Sequence, residues 1–396
     1  MKITHLETIL PDDYPGLIFV HVHTDSGLIG LGDTAFGVDA VAAHIHKSLT
    51  PYLVGRDPLH IERIWSDLYQ RCFSAGSRGA EMRALSAVDI ALWDIFGQAT
   101  GMPIYDLLGG PVRDRISVYN TCAGYRYSVA RADELGTSID PKPKITQEGP
   151  YEDLDAFLHR PDKLARSLLE EGITAMKIWP FDQFVAKTRG QSISTADLAK
   201  GCEPFARIRA AVGDAMDVAL EMHTLWNLPT AIRIAKAVEE YEPMWFEDPV
   251  RMDNFDSLRQ FKDCTHIPTV ASETLATRYS YRMLFEKQAT SICMPDVAWC
   301  GGISEAKRIA TMAEAYHLPV APHDCTGPVT MVASVHLCMN LPNALTQEMV
   351  RSFYFGWYPE LVTTLPRIED GHIHAPEGPG LGTALRPDLA ARREGR

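Results

Sequence analysis

Apolar positions follow two different rhythms along this chain. In the first stretch, Leu17 to His23 is rich in β-forming residues, Thr24-Asp25-Ser26-Gly27 reads as a turn, and Leu28 to Leu31 resumes as a strand. Apolar residues then recur at helical spacing from Ala40 to Leu53 and from Ile61 to Tyr69. A long amphipathic helix is expected from Ala80 to Gln98, stopped by Gly101 and Pro103. These elements make an α+β unit over residues 1–112.

After Gly110-Pro111 short apolar runs alternate with helical segments. The runs are Ile116–Cys122, Ala175–Trp179, Val218–His223, Met244–Glu247, Thr269–Glu273, Ile292–Asp296, Leu318–His323 and Ala344–Glu348. Eight strands with helices between them predict an α/β architecture closed as a (β/α)8 TIM barrel over residues 113–350. The connection from Ala123 to Pro161 is long, polar and rich in Pro and Gly, and reads equally as a lid over the barrel mouth or as a surface insertion. A second connection, Thr188–Thr195, also looks extended. The turn-rich segment 351–396 is expected to return to the N-terminal unit.

Composition narrows the function. Hydrophobic residues make up 46% and charged residues 22% of 396, enough for a large core without disulfide or metal staples. A formal net charge of -13 argues against nucleic-acid partners and anionic membrane surfaces, while leaving room for a small anionic substrate beside a local divalent cation. None of the eight cysteines forms a C-x-x-C pair, so free thiols are expected. No signal-peptide pattern opens the chain and no apolar run is long enough to span a membrane, so a cytoplasmic location is expected.

The ionisable residues fall at the predicted strand ends, where barrels of this kind build their sites. Lys177 ends the second strand, Glu221 and His223 the third, Glu247 the fourth and Glu273 the fifth. Asp296, His323 and Glu348 end the last three. Glu221, Glu247 and Glu273 are spaced 26 residues apart, one βα unit each. Three converging carboxylates without thiols suit a hard cation such as Mg²⁺, although each glutamate alone would by default pair with a surface base. Strand alternation places His223 beside Glu221, as a proton donor or as a packed or metal-bound histidine. Asp296 and His323 on neighbouring strands form a candidate general base with its orienting carboxylate. Lys177 could stabilise charge on a substrate carboxylate, or snorkel to solvent. Glu348 could help there only as a protonated or hydrogen-bonded donor. His336, on a helical pattern, reads as structural.

The ordered motifs resemble a known family. Ala84-Leu85-Ser86-Ala87-Val88-Asp89-Ile90-Ala91-Leu92-Trp93-Asp94 through Pro103 and Leu107-Leu108-Gly109 is similar to a signature of the mandelate racemase and muconate-lactonizing group of the enolase superfamily. So are Trp245-Phe246-Glu247-Asp248-Pro249, Ala271-Ser272-Glu273, Pro295-Asp296 with Gly301-Gly302, Ala321-Pro322-His323 and the tail Pro379-Gly380-Leu381-Gly382. The resemblance implies a modified (β/α)8 barrel under an α+β capping domain completed by the C-terminal tail. It implies Mg²⁺ on Glu221, Glu247 and Glu273, and a His323–Asp296 base. It also implies a homo-oligomer, commonly a dimer or an octamer. A Lys or His base with Mg²⁺ stabilising an enediolate is the general chemistry of the superfamily.

Two departures refine this. Lys177-Ile178-Trp179 stands where racemases carry Lys-x-Lys, so one of two opposed bases is missing. Glu221-Met222-His223 is similar to the third-strand motif of the galactonate- and gluconate-type acid-sugar dehydratases, with Glu in place of the usual Asp. The expected activity is therefore that of a hydro-lyase: His323 takes the proton beside the carboxylate of an aldonate or aldarate, His223 protonates the leaving 3-hydroxyl, and a 2-keto-3-deoxy acid results. The rivals are an epimerase or a lactone or anhydrosugar cycloisomerase using the same enolate, and a binding protein with a relic site. Specificity is expected from Asp12–Leu17, Ala35–Val38 and the Ala123–Pro161 connection, with Arg78, Tyr125, Arg126 and Trp357 as candidate contacts.

Overall fold

The computed structural model describes residues 1–128, 149 and 151–395. Most of the connection read as lid or insertion, residues 129–148 and 150, lies outside them.

Three strands, β1 (Ile3–Pro11), β2 (Leu17–Thr24) and β3 (Ile29–Ala35), form an antiparallel meander. Its register sets Phe19 opposite Asp33 and Glu7 opposite His21. The helix Ala80–Thr100 lies across β3, where the approach is close enough to need glycine: a Cβ on Gly32 would meet the Ala87 carbonyl oxygen at 1.9 Å. Gly101, with φ 70°, ends that helix in the left-handed region that glycine adopts without strain. The predicted helix Ala40–Leu53 is three pieces, an α-helix Val38–His44, a π-turn Ile45–Leu49 and a last turn Thr50–Leu53 carrying Pro51. The helix Ile61–Cys72 runs three residues beyond its expected end.

The second part is a parallel ladder. It comprises β4 (Arg115–Thr121), β5 (Ala175–Ile178), β6 (Asp217–Glu221), β7 (Phe246–Glu247), β8 (Thr269–Ala271) and β9 (Ile292–Cys293), each paired with the next. A further strand, β10 (Gln347–Met349), pairs in parallel with β4. The strands are shorter than the apolar runs. Leu318–His323 forms no strand; Val320 makes single parallel bridges to Cys293 and Ala344, and His323 makes one to Asp296. Helices between successive strands bury apolar faces against the ladder, as Leu164, Ala165 and Leu168 do on the helix Pro161–Glu170. On the parallel strands and just beyond their ends sits a separate cluster of Tyr119, Ala175, Ala219, Trp245, Val270, Ile292, Met294 and Ala321.

The C-terminal segment adds β11 (Ile368–Glu369) and β12 (His372–His374), which pairs with β4, and β13 (Ala391–Glu394), which extends the first sheet beside β1. Buried aspartates join the two parts. Asp33 accepts from the Val329 N–H at 3.0 Å and the Thr330 hydroxyl at 2.5 Å, capping the helix Pro328–Asn340. Asp89 accepts from the Ser304 N–H and hydroxyl at 2.9 and 2.7 Å. Asp94 accepts from the Leu31 and Leu381 N–H groups at 3.0 and 2.9 Å. All eight cysteines are free, and only Cys264 among them is exposed. Among the described residues no helix is long and apolar enough to cross a membrane.

Candidate active site

Lys177 is the penultimate residue of β5 and is 2% exposed, so it does not snorkel. Its ammonium is ion-paired to Glu247, lies 2.9 Å from Glu348 Oε1 and 3.6 Å from Glu221 Oε2. Burial opposes its charge, but Glu247 and Glu348 outweigh burial and hold the ammonium well above its usual range.

Glu221 and Glu247 close β6 and β7 and are paired in register. The Trp245 indole N–H donates to Glu247 Oε2 at 3.0 Å. Burial, then the Glu221 carboxylate, push Glu247 well above the carboxylate range. Glu273 lies two residues past β8, and its Oε2 is buried with no hydrogen-bond partner among the described residues. Beside it, Asp248 accepts from the Ser272 hydroxyl at 2.6 Å. The three glutamates do not bring one oxygen each within 4.8 Å of one another; among the described residues Glu7, His21 and His23 form such a set.

His323 Nδ1 lies 2.8 Å from Asp296 Oδ2, which also accepts from the Thr326 hydroxyl at 3.0 Å, while Asp296 Oδ1 accepts the Ala298 N–H at 2.7 Å. Asp296 is therefore fixed by backbone and side chain before it orients the imidazole. Burial lowers the basicity of His323, but Glu348, Asp296 and Glu273 outweigh it and push the imidazole up to about 10.

Two readings are corrected by the structure. Glu348 is not a donor. Its oxygens accept from the Thr121 hydroxyl, from Lys177 and from the Asp324 N–H at 2.8 Å. Burial would raise its pKa, but Lys177 and His323 hold it down at about 2. His223 does not reach the site by strand alternation. β6 ends at Glu221, and His223 and Thr224 take φ of 47° and 57°, turning the chain. The imidazole is instead held by Asp182, whose Oδ2 lies 2.6 Å from Nδ1, and edge-on against Trp179 at 5.4 Å between ring centroids. Burial disfavours its charge, but Glu221 and Asp182 outweigh burial and push it up to about 9. Asp182 was not foreseen; it starts a short 3-10 helix just after the second strand, where position in the chain gives no hint of its partner.

Of the other candidates, Trp357 is fully buried, and its indole donates to the Tyr125 carbonyl at 3.0 Å. Arg78 reaches the Met252 carbonyl at 3.4 Å.

An α/β fold that delivers a lysine, a carboxylate cluster and an oriented histidine to one end of its parallel strands defines an enzyme with a buried, polar, proton-transferring site. The chain matches the family model for the mandelate racemase / muconate lactonizing enzyme N-terminal domain over residues 13–109 and that for the enolase C-terminal domain-like family over residues 161–389. It is 32% identical to a D-xylonate dehydratase of Haloferax volcanii, covering 98% of this chain and 87% of that protein. It is also 32% identical to a D-galactonate dehydratase of Ralstonia nicotianae, covering 99% and 94%. Among solved structures, a mandelate racemase subgroup enolase from Agrobacterium tumefaciens superposes with a TM-score of 0.87 at 47% identity, covering 100% of this chain and 99% of that one. The chain belongs to the enolase superfamily, in its mandelate racemase and muconate-lactonizing group. Its curated relatives are dehydratases over nearly their full length, and the chain is a lyase of that kind. Enzymes of this group generally use Mg²⁺.

Proposed function

We propose that this protein is a Mg²⁺-dependent acid-sugar dehydratase, a (β/α)8 barrel of residues 113–350 under an α+β cap of residues 1–112, with 351–396 returning to the cap. The observation that carries the reading is the pairing of two differently held imidazoles. His323 is oriented by Asp296 at 2.8 Å, and His223 by Asp182 at 2.6 Å, each by its own carboxylate. Dehydration needs one group to take a proton and another to deliver one.

Glu221, Glu247 and Glu273 would hold the metal. The donor chemistry fits: all ligands are oxygens, and Glu273 Oε2 is buried without a partner among the described residues. Bound there, Mg²⁺ would stabilise charge developing on the substrate carboxylate and offset the carboxylate field that holds His323 protonated.

The chain's own residues do the rest. Asp296 occupies Nδ1 of His323 and leaves Nε2 to remove the proton at C2. Lys177, charged and dry, adds electrostatic stabilisation near the substrate carboxylate. His223, kept protonated by Asp182 and Glu221, gives its proton to the 3-hydroxyl as it leaves, and the enol formed becomes a 2-keto-3-deoxy acid. Trp179, beside His223, supplies an apolar wall rather than a second base.

The test is a panel of aldonates and aldarates incubated with the protein and Mg²⁺, with 2-keto products detected by a carbonyl reagent. A hit establishes dehydration and names the acid, with xylonate and galactonate the first candidates from the relatives. A blank panel with Mg²⁺ binding confirmed overturns the reading in favour of an epimerase or cycloisomerase.

A further inference from the structure

The first sheet carries a second cluster, which shares no residue with the lysine, glutamate and histidine site. His21 and His23 are two apart on β2 and therefore share a face. Glu7 on β1 is the register partner of His21, and His5 that of His23. Glu7 is 4% exposed and the two imidazoles are half-buried. Glu7 Oε2 lies 3.5 Å from His21 Nδ1 and 3.6 Å from His23 Nε2, and one ligand atom from each residue falls within 4.8 Å of the others.

Those separations carry information. They are long for hydrogen bonds between an imidazole and a carboxylate. Ligands at about 2.0–2.2 Å from a tetrahedral metal stand roughly 3.3–3.6 Å from one another, which is the separation of Glu7 Oε2 from each imidazole here. Arg393, on β13, lies 3.6 Å from Glu7 Oε1, on the oxygen that does not face the imidazoles. His5 stacks on His23 with centroids 4.0 Å apart and planes 11° apart, which fixes the plane of that ring.

We propose that Glu7, His21 and His23 form a binding site for a divalent transition metal of the zinc class, with water completing the coordination. Two imidazoles and one carboxylate on a sheet suit Zn²⁺ rather than Mg²⁺, which takes oxygen ligands and octahedral geometry. The site is separate from the glutamate cluster in residues and in ligand chemistry. A metal there clamps β1 to β2 next to the strand that the C-terminal segment adds to the sheet.

The experiment loads the full-length protein with Co²⁺ in excess Mg²⁺, which keeps the oxygen-only cluster supplied with its own cation, and records the visible spectrum. A four-coordinate site containing two imidazoles gives intense bands, whereas six-coordinate oxygen sites give weak ones. Intense bands that Zn²⁺ abolishes, and that are lost in His21→Gln/His23→Gln, are the expected result. Glu7→Gln, a milder change, is expected to weaken Zn²⁺ binding in equilibrium dialysis on the order of tenfold or more. Weak bands only in the wild-type protein, or intense bands that survive in both variants, overturn the proposal. The wild-type spectrum decides even if the double variant fails to fold.

Discussion

Arg351 follows the last ladder strand and is buried to 2% exposure with Asp153, which is also 2% exposed. Its Nη2 and Nε reach the two oxygens of Asp153 at 2.7 and 3.1 Å, and its Nη1 reaches Glu171 at 2.8 Å and the Ser167 hydroxyl at 3.0 Å. Its backbone N–H donates to the Asn120 side chain at 2.8 Å, and Asn120 in turn donates to Asp153 at 3.0 Å. The network therefore ties the end of β10 to β4 and to the helix Asp153–His159. Arg351→Met keeps an unbranched side chain that fills much of the space but leaves the buried Asp153 without its guanidinium partner, with Asn120 as its side-chain donor. Breaking such a buried pair from one side costs about 3–5 kcal/mol. Removing the stranded charge as well, in Arg351→Met/Asp153→Asn, should recover about 1–3 kcal/mol, because most of the penalty is an uncompensated carboxylate rather than a missing attraction. Urea unfolding followed by tryptophan fluorescence measures both, with the slope checked for constancy. A single variant within about 1 kcal/mol of wild type, or a double variant no more stable than the single, would refute the reasoning.

Other outcomes follow from single sites. His323→Asn should abolish turnover while leaving Mg²⁺ affinity in place, measured by titration calorimetry; undiminished activity removes the assigned base. Asp94→Asn sets an amide NH₂ against backbone donors that only a carboxylate can satisfy together, costing about 1–3 kcal/mol and speeding amide exchange at Leu31 and Leu381. His336 is fully buried between the Tyr105 N–H and the Leu381 carbonyl, and burial pushes it from 6.5 down to about 4. A depressed folded pKa means its contribution is present above 6.5 and lost as pH falls toward 4, so His336→Gln should flatten the thermal midpoint across that window.

Periodicity located the parallel strands because a strand covered on both faces must be apolar throughout, and runs such as Ala175–Trp179 have few other uses. It overestimated their length for the same reason. Apolar residues continue past the last ladder bond to line the strand ends, so Met294 is buried in the cluster with Tyr119 and Trp245 although β9 stops at Cys293. The strand β13 escaped notice because Ala391-Arg392-Arg393-Glu394 is polar; edge pairing to β1 through the backbone leaves no apolar signature. The π-turn Ile45–Leu49 inside the first helical segment is likewise invisible to a pattern that reads only every third or fourth residue.

The site shows where that logic stops. Glu221 and Glu247 were placed correctly relative to each other because they are still within the ladder, where register is set by backbone bonds. Beyond the ladder the chain turns, and alternation has no authority: His223 sits at φ 47°, and what holds its ring is Asp182, 41 residues earlier. The same holds for Glu348, which accepts from Thr121, Lys177 and the Asp324 N–H, three groups from three separate segments. Residue type and strand position identify which side chains reach a site of this kind. Whether each gives or takes a proton is decided by neighbours that the fold assembles from distant segments: Glu348, which by sequence could help only as a protonated or hydrogen-bonded donor, is surrounded by groups that donate to it.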